Sequence, residues 1–185
     1  MREPAMTKIV LTYEDYLELP DDGKRYELHE GELSVTPVPG MRHQDLVLRL
    51  ALLLAPHVAA TGQGKLMIAS FDCILSNTTI VQPDLMYVDE SRRHRLTERG
   101  FDGAPTLAVE IISPYSGRID RRRKMTLYAD HDVTWYWIVD PDARRIEAYH
   151  LDEGAYRLEA AVDGPDARAL PPFPGLVLDP STIWS

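Results

Sequence analysis

Two acids and a lysine stand where apolar residues are expected. Glu110 interrupts the run TLAVEIIS, residues 106–113, and Asp84 opens the apolar segment DLMYVD directly after Pro83. Lys124 closes the basic stretch RIDRRRK, residues 118–124. A buried carboxylate is costly unless a cation or several donors meet it. If the strands carrying Asp84 and Glu110 adjoin, the two acids can share a hard divalent ion such as Mg²⁺, which takes oxygen from one or two carboxylates and completes its shell with water and phosphate. The Ile111 carbonyl can add a further oxygen. A lysine turned toward that pair can polarise a water or neutralise charge on a phosphate under attack. Arg118, Arg121, Arg122 and Arg123 would then attract a phosphate backbone. Against this stands a plainer reading, in which Lys124 or Arg25 forms a buried ion pair with the acids and Asp84 merely caps a strand.

The elements that must position these groups follow from periodicity. Alternation puts Glu110 on one strand face with Ala108 and Ile112, and Val109 and Ile111 on the other, in a run apolar enough for a central strand covered on both sides. Lys124, Leu127, Tyr128 and His131 fall at i, i+3, i+4 and i+7 of a helix over about 118–130, with Arg121 a turn earlier. Upstream, Thr12 reads as the N-cap of a short helix over YEDYLEL, and RYELHEGELSVTP as a hairpin. A long helix spans about 41–60, its apolar face set by His43, Leu46, Val47, Leu50, Leu54 and His57. His43 is either a core histidine or a supporting group of the site. KLMIASFDCILS reads as one long strand or a strand pair, TWYWIVDP as another buried strand, and IEAYHL with AYRLEAAV as a closing hairpin. The order predicts an α/β domain with a mixed sheet and helices on both sides, one domain over 1–185 with its core at about 11–178.

Composition sets limits. The 185 residues carry a formal net charge of -9, so indiscriminate binding to nucleic acid or anionic lipid is not expected. Positive charge is uneven, however, and concentrates in RRHR at 92–95 and RIDRRRK at 118–124. The lone Cys73, in FDCIL, leaves no intramolecular disulfide or thiolate zinc cluster and reads as a small core residue. The aliphatic run LALLLA is far short of the roughly 20 residues of a membrane span. An N-terminus with acidic residues and no apolar h-region predicts a cytoplasmic protein. There is no Gly-rich phosphate loop, nucleophile elbow or paired-histidine zinc motif; GQGK at 62–65 reads as a turn.

RYELHEGEL, the RHQ before a long aliphatic helix, VQPDLMYV, LAVEIISP, RRRKMTLYAD and WYWIVDP, in that order, closely resemble the Uma-two family of restriction-endonuclease-like proteins in the PD-(D/E)XK nuclease superfamily. The resemblance runs from about Leu11 to the FPGLVLD segment. It implies a restriction-endonuclease-like core, a Mg²⁺-dependent phosphodiesterase centre with Mn²⁺ as substitute, DNA as substrate and a homodimer. It places Asp84 and Glu110, with the Ile111 carbonyl, at the metal, Glu27 at the N-terminal acidic position and Gln82 at the polar residue before the PD pair. The superfamily's acid-X-Lys would put lysine at position 112, which here is Ile112. The resemblance implies that the lysine has moved to the following helix, making Lys124 the candidate. Two rival functions remain open: a catalytically silent module that binds nucleic acid or protein, and an enzyme acting on another phosphorylated substrate.

Overall fold

The computed structural model describes residues 9–112 and 119–184, with the side chains of 119–121 outside that set. In chain order the elements are α1 (Tyr13–Leu17), β1 (Arg25–His29), β2 (Glu32–Thr36), α2 (Met41–Thr61), β3 (Gly64–Ile68), β4 (Asp72–Ser76), β5 (Thr79–Val81) and β6 (Leu85–Asp89). After a 3₁₀ turn (Glu90–Arg95) come β7 (Gly100–Asp102), β8 (Leu107–Ile111), α3 (Ile119–Asp130), β9 (Trp135–Asp140), β10 (Arg145–Asp152), β11 (Ala155–Val162), β12 (Arg168–Ala169), β13 (Val177–Leu178) and α4 (Pro180–Ile183). Six strands form a mixed sheet in the order β11-β10-β9-β8-β6-β3, in which β8 and β9 are parallel and the other neighbours antiparallel. Five form a second sheet, β2-β1-β5-β4-β7, while β12 and β13 pair as a short ribbon.

Residue alternation explains how the six-stranded sheet is covered. Leu85, Tyr87, Leu107, Val109, Ile111, Trp137 and Val139 pack with Leu46, Leu50, Leu54 and Val58 of α2. Met86, Val88, Ala108, Tyr136 and Ile138, one residue out of phase, pack with Leu127 and Tyr128 of α3 and with Val81, Cys73 and Phe101 of the second sheet. Two buried faces require strands apolar on both sides, which is why TLAVEI and WYWIVD read as continuous runs. Glu110 belongs to the α3 face, as alternation from Ala108 demands.

Local signals hold closely at the caps. Thr12 accepts from Asp15 N while the Asp15 carboxylate accepts from Thr12 N, a capping box on α1. Gly62 ends α2 in the left-handed conformation at φ 62°, so the GQGK segment is a turn into β3. KLMIASFDCILS breaks into two strands that join different sheets. The division of the strands between two sheets is the main departure from the sequence expectation of one mixed sheet. One of the crossings is Gln82-Pro83-Asp84, which carries the chain from β5 in one sheet to β6 in the other; Pro83 offers no N–H to continue a ladder.

Candidate active site

The site lies where the two sheets, α2 and α3 meet. The second sheet supplies Arg25 and Glu27 from β1; the six-stranded sheet supplies Asp84, at the mouth of β6, and Glu110 from β8. Glu27 and Asp84 are 1% and 2% exposed. Lys124 and Tyr128, one turn apart on α3, reach down from the helix to Glu110 on the sheet face beneath it. His43 comes from the first turn of α2.

Lys124 Nζ donates to Glu110 Oε1 at 2.8 Å and to Glu27 Oε1 at 3.1 Å. The Tyr128 hydroxyl donates to the same Glu110 oxygen at 2.7 Å. Among the described residues, every hydrogen bond to Glu110 falls on Oε1. Glu27 is more fully held: Oε1 also accepts from Gln82 N at 2.7 Å, and Oε2 lies 3.0 Å from His29 Nε2. Asp84 Oδ1 accepts from Arg25 Nη1 at 2.9 Å. Asp84 Oδ2 accepts from Ile111 N at 2.8 Å and sits 3.0 Å from His43 Nε2. Asp84 is therefore bonded to the amide that follows Glu110, which ties the two acids to one peptide unit.

Burial and charge act in opposite directions on these groups. Burial pushes Glu110 above the usual glutamate range; Lys124 opposes it, and the Asp84 charge adds to the rise. For Glu27, burial is outweighed by Lys124, the His29 hydrogen bond and Arg25, which hold its carboxyl well below that range. For Asp84, burial is outweighed by the His43 hydrogen bond and Arg25, and the carboxyl is again lowered. Burial would strip the proton from Lys124, yet Glu110 and Glu27 raise it, so the lysine is an ammonium at neutral pH. Tyr128, raised well above its ordinary value by burial and by Glu110, stays a hydrogen-bond donor.

Of the residues singled out in the sequence, Glu27, Gln82, Asp84, Glu110, Lys124 and His43 come together, and the Ile111 amide joins them. The plainer reading is present too, since Arg25 and Lys124 do pair with the acids. The arginine cluster is more dispersed. Arg118 and the side chain of Arg121 lie outside the described residues. Arg122 is exposed, and Arg123 pairs with Glu32. Both border a groove of about 330 Å³ beside α3, which Glu30 of the β1–β2 turn and Asp130 also line. In RRHR, Arg92 binds the Ala104 and Pro105 carbonyls and Arg93 pairs with Glu90, so these two brace a local turn.

Sequence reasoning missed several supports, among them the Tyr128 hydroxyl on Glu110. His29 holds Glu27, and its i, i+2 spacing on one strand was the available signal. Gln82 Nε2 donates to Asp72 at 2.7 Å, and the Tyr16 hydroxyl donates to Asp72 at 2.8 Å. That second network joins α1, β4 and the β5–β6 crossing, and nothing local in the sequence marks it.

Among the described residues, no three His, Cys, Asp or Glu side chains are arranged to hold a metal ion. Asp84 and Glu110, linked through one peptide, are the residues that could hold a hard cation such as Mg²⁺, which takes one or two carboxylates and leaves positions for water and phosphate. The donor set is all oxygen, which suits a hard cation and not zinc.

A mixed sheet covered on both faces, with acids gathered where its strands open, makes this an α/β protein with a candidate acidic site between its layers. The structure superposes on that of "a putative nuclease belonging to DUF820" from Anabaena variabilis with a TM-score of 0.78 and 20% identity, over 94% of this chain and 97% of the other. An uncharacterized protein, slr1290, of Synechocystis is 25% identical over 149 residues, covering 77% of this chain and 75% of the relative. The family model Uma2, described as "Putative restriction endonuclease", matches residues 13–181, and the chain belongs to that family. No helix among the described residues is long and apolar enough to cross a membrane.

Proposed function

We propose that this chain is a Mg²⁺-dependent endonuclease that hydrolyses DNA phosphodiester bonds, with Mn²⁺ able to replace Mg²⁺. The observation that carries the reading is the Lys124 ammonium, held between Glu110 and Glu27 beside Asp84. It answers the superfamily's missing acid-X-Lys lysine with one from another element. Asp84 and Glu110, with the Ile111 carbonyl, would hold the cation. The bound metal lowers the pKa of water and offsets charge on the phosphate in flight.

The protein's own groups divide the remaining work. Lys124 is charged and bonded to two carboxylates, so it acts by its field on the attacking water and the phosphate, not as a base. Glu27 fixes Lys124. Tyr128 and Lys124 together fix the rotamer of Glu110, leaving Oε2 for the cation or for the proton of the attacking water. Gln82 positions Glu27 through its backbone amide, and His43 orients Asp84. Arg122, with Arg118, Arg121 and Arg123, would contact the DNA backbone. In-line attack leaves a 5′-phosphate on the product.

The same reading sets the protein in the cytoplasm as a homodimer. The edge strand β11, where Leu158 is 49% exposed, is the place for a second copy.

One observation favours a silent binding module instead: both oxygens of Asp84 already have protein partners. Incubation of supercoiled plasmid and short single-stranded DNA with Mg²⁺, Mn²⁺ or EDTA separates the two. Cutting with either metal and none in EDTA is expected. DNA retention without cutting in any metal would instead establish the module.

A further inference from the structure

The acidic cluster is met by two cations, and they are held differently. Lys124 spans two carboxylates at 2.8 and 3.1 Å. Arg25 makes one close contact, Nη1 to Asp84 Oδ1 at 2.9 Å, and its Nη2 stops 3.8 Å from Glu27. Among the described residues, its Nε and Nη2 are buried with no hydrogen-bond partner, on a side chain only 11% exposed. Guanidinium normally meets carboxylate as a two-pronged fork, and buried donors left unmatched are unfavourable. Arg25 is thus engaged for its charge, with its hydrogen-bonding capacity largely unused.

The charge count explains why it is there. Glu27, Asp84 and Glu110 place three negative charges in a buried space, and Lys124 alone would leave two of them uncompensated. Arg25 brings the residue to one. A divalent ion arriving with Arg25 still in place would face a guanidinium on Asp84, one of its own intended ligands.

We propose that Arg25 is the resident counter-ion of the metal site, holding Asp84 Oδ1 in the metal-free protein and giving it up when a divalent cation binds. The proposal rests on the metal-site reading above. The one-point contact makes the exchange feasible: a single hydrogen bond is lost, and two unmatched donors are released from burial. Lys124, bonded to both glutamates, stays. Arg25 then trades metal affinity for stability of the metal-free fold.

The test is calorimetric titration of the full chain with Mn²⁺ alone, comparing wild type with Arg25→Gln, Arg25→Lys and Asp84→Asn, and with melting temperatures recorded with and without Mn²⁺. Arg25→Gln should bind Mn²⁺ about tenfold more tightly or better, since the competing charge is gone. It should also melt lower than wild type without metal and regain the difference with Mn²⁺. Arg25→Lys, shorter and less able to hold Asp84, should show the same sign with a smaller gain, and decides the matter if Arg25→Gln does not fold. Asp84→Asn should bind weakly. Unchanged or weaker binding by both Arg25 variants, with wild type binding normally, overturns the counter-ion role and leaves the metal site standing. Unchanged metal affinity with slower DNA cutting would overturn it too, by making Arg25 a phosphate contact. No Mn²⁺ binding by any of the proteins would remove the metal site itself, and this inference with it.

Discussion

Lys124 Nζ and Glu110 Oε1 lie 2.8 Å apart, although one residue belongs to a helix and the other to a strand beneath it. The same ammonium reaches Glu27 in the other sheet at 3.1 Å, so a single charge joins three elements. That junction makes the geometry of the candidate site and the stability of the fold depend on the same atoms.

Replacing Lys124 with alanine leaves Glu27 and Glu110 buried without their shared partner. We expect a loss of about 3 kcal/mol or more, read as a fall in the urea midpoint at unchanged slope. Adding Glu110→Gln to Lys124→Met should restore part of it, because the uncompensated charge is removed with its partner.

Acid should unfold the protein partly through Glu27. Its folded-state pKa lies below the ordinary 4.5, so its contribution is fully present above that value and fades as the pH falls below it. Asp84 acts in the same direction below its ordinary 3.8. Glu110 has the opposite sign, since its folded pKa is raised: ionisation disfavours the fold, and protonation relieves that as the pH falls through the raised value. Urea midpoints between about pH 3 and 6 should therefore fall less steeply for Glu27→Gln than for wild type, and more steeply for Glu110→Gln.

Tyr128→Phe removes one donor from Glu110 while Lys124 still satisfies the same oxygen. Stability should drop by about 1 kcal/mol. Cleavage should fall by more than that implies, since the Glu110 rotamer is then held at one point, and the loss should appear in kcat and not in DNA affinity.

Arg122 is exposed beside the groove along α3. Arg122→Ala should weaken DNA binding about equally for all sequences and reduce the slope of log affinity against log salt by about 1. Arg93→Ala, in the braced 3₁₀ turn, should leave that slope unchanged.

What was legible in the sequence was whatever a local rule could mark. Thr12 signalled a helix start, alternation put Glu110 on the face opposite Val109, and helical spacing put Lys124 with Leu127 and Tyr128. Each of those depends on neighbours within one turn or one pleat. The resemblance supplied Glu27 and Gln82. What local rules could not show was the pairing of β1 with β5, which brings Leu28 opposite Ile80 and places Arg25 and Glu27 over the acids of the other sheet. Asp72 and Tyr16 meet for the same long-range reason. The chain changes sheet several times, and the proline at the β5–β6 crossing is a signal that marks a break without saying where the chain goes next.

The central claim is that Lys124 has taken over the place of the superfamily's strand lysine. Its most direct test is Mg²⁺-dependent plasmid cleavage by wild type, Glu110→Ala and Lys124→Ala, each shown to be folded by circular dichroism. Cutting by wild type and a loss of about a hundredfold or more in both variants are expected. Cutting that persists in a folded Lys124→Ala protein, while Glu110→Ala is inactive, would contradict the claim.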